Sequence, residues 1–252
     1  MHQSLSSRSL NGRGFPLHVL NIKIENWIRF FYIFDMNKNK TDSKDKALIK
    51  TEDQVLSSMP NYGGNNEDSF AKLELRPFRL SSPEYQDVYD LYYASFPKSE
   101  RKPMEMITSS CEDGRMDTYS VFDQGKLAGL AFFVNGKDVD ILDYLAIHPR
   151  MRSAGIGSRL LQWLKTNRER PFIVEIESTL HSDDEVAQRR KDFYLRNGMI
   201  DCHQEISLFG VDMELLSSPV PVTYEQYYQV LAGYLKAFPE VDYKKYLYPI
   251  ER

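Results

Sequence analysis

The chain has 252 residues, of which 42% are hydrophobic and 27% charged, with a formal net charge of −4. This is enough apolar material for a packed domain plus extensions, and the acidic balance leaves no electrostatic case for a nucleic-acid partner. The two cysteines, Cys111 and Cys202, lack metal-ligand spacing and read as free thiols in a reducing compartment, so no metal is expected.

Residues 1–70 read as a largely disordered or leader-like extension. Met1–Gly14 is rich in Ser, Arg and Asn, Asn37–Lys50 is polar and Lys-rich, and Asn61–Asn66 has linker composition. Val19–Phe34 has the makings of a short helix. Its Lys23, Glu25, Asn26 and Arg29 would be costly in hydrocarbon, and no small-residue cleavage site follows. The expectation is a cytoplasmic protein without membrane contact. Synthesis starting at Met36 or Met59 would explain the character of this segment, and the intact mass of the native protein tests it.

From Lys72 the pattern turns globular. Lys72–Leu75 reads as a short strand closed by Arg76-Pro77. Ser82-Pro83-Glu84 reads as a helix start with Ser82 as cap, and the helix runs to Phe96, ahead of Pro97. A second helix starts near Pro103 and carries Met104–Thr108. Strands follow at Thr118–Phe122, Leu127–Val134 and Val139–Ile147. Asp123–Lys126 reads as a hairpin turn, and Asn135-Gly136 as a second, with positive φ at both positions. A glycine-containing loop then opens a helix over Gly155–Arg168, with Ile156, Leu160, Leu161 and Leu164 on one face. Phe172–Ile176 is a strand. Asp183/Asp184 can cap a helix that stops at Asn197-Gly198. Ile200–Phe209 and Val211–Leu216 form a closing hairpin. Beyond Pro219 and Pro221 comes a Tyr-rich tail in which Thr223 and Gln226 have capping-box spacing.

Strand, glycine turn and helix in that order are what an anion site needs. The first backbone N–H groups of a helix lack intrahelical partners and carry partial positive charge, which a phosphate satisfies. In Arg152-Ser153-Ala154-Gly155-Ile156-Gly157 the glycines admit close approach and Arg152 adds a forked donor. A P-loop would need Gly-Lys-Ser/Thr, and the dinucleotide fingerprint a third glycine, and neither is present. On these residues alone, a phosphate site and a plain capping turn stand level.

The wider segment Leu145-Ala146-Ile147-His148-Pro149-Arg150-Met151 followed by Arg152–Leu161 resembles the acetyl-CoA motif of the GNAT superfamily of N-acyltransferases. Phe193-Tyr194-Leu195-Arg196-Asn197-Gly198-Met199 is similar to that family's F-Y-x-x-x-G-F box, with Met199 in place of the final Phe. The resemblance covers roughly Leu73–Leu216. It implies an α/β (α+β-like) fold: a mixed, mostly antiparallel central sheet, splayed between two parallel strands, with helices on both faces. The domain would span residues 71–218, with residues 219–252 a helical extension packing on it.

The resemblance also implies acetyl-CoA as cosubstrate. Its pyrophosphate would lie on Arg152, Ser153, Ala154, Gly155, Ile156 and Gly157. Its pantetheine arm would pair with the Leu145-Ala146-Ile147 strand, through backbone groups at Leu145 and Ile147. Tyr194 is the implied acid for the departing thiolate. Glu175 stands where ribosomal-protein acetyltransferases of the superfamily carry a proposed base, although the spacing from Glu175 to Tyr194 is longer here. Alternation in Phe172–Glu177 puts Val174 and Ile176 toward the core and Glu175 and Glu177 on the opposite face. Asp143 is the second candidate base, expected on the same strand face as Leu145 and Ile147. For each carboxylate a solvated edge or an ion pair with Arg189 or Arg190 is the competing reading. The acceptor, a small-molecule or peptide amine, would meet Phe96–Pro103, where Glu100 could pair with an ammonium. That run also reads as a solvated charge cluster. His148 and His181 have no ligand spacing and take no role. The competing function is a non-catalytic acetyl-CoA sensor or interaction protein, using the Tyr-rich tail as a partner surface. Either reading allows a monomer or a homodimer.

Overall fold

The computed structural model describes residues 73–97, 100–180, 185–237, 244 and 247–250. The N-terminal expectations, the Asp183/Asp184 cap and His181 lie outside them. The elements in chain order are β1 (Glu74–Pro77), α1 (Tyr85–Ser95), α2 (Met104–Glu112), β2 (Met116–Asp123), β3 (Lys126–Val134), β4 (Asp140–Ile147), α3 (Ile156–Asn167), β5 (Phe172–Glu177), α4 (Glu185–Arg196), β6 (Ile200–Leu208), β7 (Val211–Ser218), α5 (Tyr224–Leu235) and β8 (Leu247–Pro249). The strands form one eight-stranded sheet in the order β1-β2-β3-β4-β5-β7-β6-β8. The β4–β5 pair is parallel and the other pairs are antiparallel. This is the mixed, mostly antiparallel α/β fold expected from the sequence.

The sheet separates two apolar layers. Helices α1, α2 and α5 cover one face through Val88, Leu91, Tyr92, Ile107, Tyr227 and Leu235. Helix α3 and Tyr194 of α4 cover the other, where Ile156, Leu160, Leu161 and Leu164 meet Phe133, Leu142 and Val174. Each of those four α3 side chains is at most 2% exposed. At about 1.5–3 kcal/mol per buried aliphatic side chain, this packing far outweighs the cap preferences of the helix and fixes where α3 begins.

Two hairpins turn through left-handed pairs that end in glycine. Gln124-Gly125 has φ values of 51° and 75°, and Phe209-Gly210 values of 49° and 83°. These left-handed pairs give the turn twist that matches the flanking strands. Asn135-Gly136 departs from expectation, because neither residue has positive φ. The β3–β4 connection is a longer loop, with Val134 opposite Ile141. Gly136 is needed there for room: a Cβ would lie 1.9 Å from the Val139 carbonyl oxygen and 2.6 Å from Val230 Cγ2 of α5. Ser82 also departs. Its hydroxyl accepts the Arg79 N–H at 2.9 Å, closing a turn ahead of α1. The helix itself starts after Glu84 without a side-chain cap. The Thr223/Gln226 capping box is formed as expected.

The parallel pair opens almost at once. Asp140 pairs with Phe172 and Ile141 with Ile173, and no later residue of β4 pairs with β5. The opening coincides with a bulge in β4. Phe133 lies opposite Leu142 but Phe132 lies opposite Tyr144, which leaves Asp143 as the extra residue. A bulge bends its strand and sharpens the local twist. Here it steers the second half of β4 away from β5 and creates the expected splay.

Candidate active site

The gap between β4 and β5 has two differently built ends. At one, β4 runs into a 3-10 turn at Pro149–Met151. The His148 N–H donates to the Ala128 carbonyl at 2.8 Å, so this residue hydrogen-bonds toward β3. With the two-residue period of a strand, Tyr144 and Ala146 do likewise, and the backbone groups of Leu145 and Ile147 point into the gap. The Ile147 carbonyl already accepts Arg152 Nε at 3.2 Å. The buried His148 imidazole accepts the Arg150 N–H at 3.2 Å. Burial, then Arg150 and Arg152, hold its pKa below the usual value, which suits a neutral ring in that acceptor role.

The turn that follows is shaped by left-handed residues. Ser153 has φ 64° and Gly155 φ 73°, and Gly155 is the N-cap of α3. The first α3 backbone bond runs from Arg159 N to Gly155 O, at 3.0 Å. Among the described residues the N–H groups of Ser153 through Ser158 find no acceptor, and Arg152 has no carboxylate partner. Residues 152–155 are exposed. The two glycines serve different needs. A Cβ at Gly155 would meet no atom within 4 Å, so its requirement is conformational. A Cβ at Gly157 would come within 3.1 Å of the Phe193 ring, so its requirement is packing against α4. An exposed row of unpaired donors at a helix start is a fit for an anionic oxygen cluster.

Tyr194 lies on the α3 side of the sheet, 9% exposed. Its ring meets Phe193 edge-on at 5.4 Å. Among the described residues its hydroxyl has no hydrogen-bond partner. Burial pushes its pKa up to about 12, Arg190 lowers it and Glu177 raises it, so the hydroxyl keeps its proton at neutral pH.

The other end of the gap lies on the opposite face. Glu175 points there, as alternation in β5 predicts, but helix α5 covers it. The Tyr227 hydroxyl donates to Glu175 Oε1. Burial raises the Glu175 pKa to about 7, with Tyr227 lowering it, Asp143 raising it and Lys102 lowering it. Neither Arg189 nor Arg190 pairs with Glu175; Arg190 pairs with Glu177. Asp143 is a correction. It does not share a face with Leu145 and Ile147, because the bulge places Asp143 and Tyr144 on the same side. Leu145 and Ile147 pack instead against the α3 layer. Asp143 is bound by Lys102 Nζ at 2.7 Å to both carboxylate oxygens, and the same ammonium lies 5.2 Å from the Tyr144 ring and 5.6 Å from the Tyr234 ring.

The Phe96–Pro103 run is therefore not a solvated charge cluster throughout. Lys102 is 5% exposed. The Tyr144 hydroxyl accepts the Lys102 N–H at 3.0 Å and donates to the Glu100 carbonyl at 2.7 Å, and the Tyr92 hydroxyl donates to the Lys102 carbonyl at 3.0 Å. Burial and then the nearby Glu177 raise the Glu100 pKa, with Arg190 opposing. Sequence reasoning missed the contacts of Lys102 with Asp143 and of Tyr227 with Glu175. Lys102 was hidden in a mixed-charge run, and its only local sign was the proline beside it. Tyr227 had a sign in the capping box, which placed a helix but not its partner.

The comparisons with known proteins agree with this geometry. The family model described as acetyltransferase (GNAT) domain matches residues 115–198, which run from the start of β2 through the end of α4. A protein from Bacteroides thetaiotaomicron assigned to the GNAT family has a similar solved structure, with TM-score 0.56 and 21% identity over 66% of this chain and 97% of that one. This likeness extends the shared fold beyond the matched segment. A GNAT family acetyltransferase from Elizabethkingia anophelis, solved with acetyl-CoA bound, matches at TM-score 0.42 and 14% identity over 59% of this chain and 99% of that one. The acetyl transferase that modifies the N-terminal serine of ribosomal protein L7/L12 from Salmonella typhimurium matches at TM-score 0.45 and 15% identity over 60% and 97%. No curated protein matches the chain. The GNAT match ends before β6, so helix α5 and the Tyr227–Glu175 contact lie partly outside it.

Proposed function

We propose that the chain is an acetyl-CoA-dependent N-acetyltransferase that moves an acetyl group directly to a primary amine of a small molecule or peptide. The observation that carries this reading is the gap between β4 and β5, with unpaired N–H donors at one end and a half-buried, titratable carboxylate at the other. In this reading Arg152, Ser153, Ala154, Gly155, Ile156 and Gly157 hold the pyrophosphate. Backbone groups of the Leu145-Ala146-Ile147 strand, those of Leu145 and Ile147 directed into the gap, receive the pantetheine arm and polarise the thioester carbonyl.

The chemistry then needs two proton transfers. Glu175, with a pKa raised to about 7, takes a proton from the incoming ammonium or from the amine as its nitrogen attacks the carbonyl. Tyr194, protonated at neutral pH, gives a proton to sulfur as the carbon–sulfur bond breaks. Asp143 is the weaker base candidate because Lys102 holds both of its oxygens. The test is CoA release from acetyl-CoA with a panel of amines, in the parent chain and in Tyr194→Phe. Turnover that falls in the variant supports the reading. Tight acetyl-CoA binding without turnover on any amine, unchanged by Tyr194→Phe, would favour the sensor instead.

A further inference from the structure

We propose that helix α5, which lies beyond the family-matched segment, completes the acceptor end, and that Tyr227 is a positioning residue whose hydroxyl fixes the Glu175 carboxylate at the mouth of the splay. This rests on Glu175 being the base of the reaction described above.

The geometry leaves Tyr227 little freedom. Its side chain is 0% exposed. It sits in the first turn of a helix whose start is locked by the Thr223/Gln226 capping box. Next along the same face, Val230, Leu231, Tyr234 and Leu235 are buried in the layer that contains Tyr144. A phenol ring held this way has two torsions and no open side, so its hydroxyl arrives at Glu175 Oε1 from a fixed direction.

The partners of the two carboxylates separate their roles. The groups that face Glu175 are Tyr227 from α5, Asp143 from β4 and Lys102 from the segment before α2. Lys102 puts its ammonium on both oxygens of Asp143, which neutralises that charge within the pair. The donor to Glu175 is a neutral hydroxyl. Burial, then Glu175 itself, keep the Tyr227 pKa well above the usual phenol value, so Tyr227 remains a donor throughout the working range. A neutral donor orients a carboxylate and favours its charged form without cancelling the charge. Glu175 is thereby held in place while staying able to accept a proton.

The experiment uses the full chain labelled with glutamate carrying ¹³C at the side-chain carboxyl, without acetyl-CoA. Carboxyl shifts are followed against pH, and the Glu175 signal is assigned by its loss in Glu175→Gln. The parent chain should titrate near the value of about 7. In Tyr227→Phe the midpoint should rise by roughly one unit, as expected for loss of one hydrogen bond to the charged form. Tyr224→Phe, on the same helix, removes a hydroxyl that donates to the Leu247 carbonyl at 3.2 Å and should leave the midpoint in place. A folded Tyr227→Phe chain with an unmoved midpoint would overturn the proposal, as would equal shifts in both variants. Because no acetyl transfer is measured, this result is separate from success or failure of the acetyltransferase assay. Where turnover is present, Tyr227→Phe should lower kcat by about tenfold and move its acid limb with the midpoint, leaving the KM for acetyl-CoA unchanged.

Discussion

The two ends of the splay are made from different materials. The turn at Arg152–Gly157 is exposed and contiguous in sequence, and it presents main-chain N–H groups. The end at Glu175 is half-buried, with Lys102 and Tyr227 fully enclosed, and presents side chains drawn from β4, β5, α5 and the segment before α2. A site of main-chain donors depends on conformation at a few positions. A site of buried side chains depends on the packing of several distant segments. Damage to the first should therefore appear as lost cofactor affinity in an otherwise normal protein, and damage to the second as lost turnover or stability with affinity intact.

Substitutions can break or sharpen that contrast. The largest effect is expected from Glu175→Gln, which removes the proposed base within a nearly isosteric shape: kcat should fall by about 10²–10⁴ while acetyl-CoA affinity, measured by calorimetry, stays as it was. Next is Gly155→Val. At φ 73° a β-branched residue is strained, while no neighbouring atom obstructs it. Acetyl-CoA affinity should drop by about 10–100-fold, with a folded protein by circular dichroism; unchanged affinity would remove the turn from the cofactor site. Gly136→Ala attacks the other end through packing. Its Cβ would strike the Val139 carbonyl and Val230, so a loss of about 1–3 kcal/mol in denaturant unfolding is expected, with lower turnover as α5 is displaced.

The smallest effect is on stability against pH. The folded-state pKa of Glu175 is raised, from 4.5 to about 7. The folded chain holds this proton where the unfolded chain has lost it. The contribution is therefore full below about pH 4.5 and is lost as pH rises through about 7. Unfolding free energy of the parent chain relative to Glu175→Gln should decline on the order of 1 kcal/mol or more across that window. A flat difference would mean that the carboxylate is solvated in the folded state.

The same contrast explains what was legible in the sequence. The glycine turn, the α3 apolar stripe, the hairpins at Gln124-Gly125 and Phe209-Gly210 and the α5 capping box are local signals, and each is found where it was read. The resemblance carried by residues 145–161 and 193–199 named the fold. Local reading failed where tertiary contact decides. Asn135-Gly136 has the composition of a tight turn, but its glycine answers to crowding: the Val139 carbonyl of the longer loop lies in the way of a Cβ, and Val230 of α5 packs behind it. Asp143 was put on the wrong face because alternation assumes an unbroken strand. Lys102 and Tyr227 reach Asp143 and Glu175 only through contacts made across the fold.

The bulge at Asp143 has a further consequence. Because it is a single inserted residue, its removal would leave Ile141, Leu142, Tyr144 and Leu145 on the faces they now occupy. Strand β4 could then run straight beside β5, and their ladder would be free to continue past Ile141 and Ile173 like a zipper whose stop has been taken out. The cleft would close by a change in chain length rather than in chemistry. Combined with Lys102→Met, which spares a stranded ammonium, such a deletion should give a folded sheet with no room left for a ligand along it.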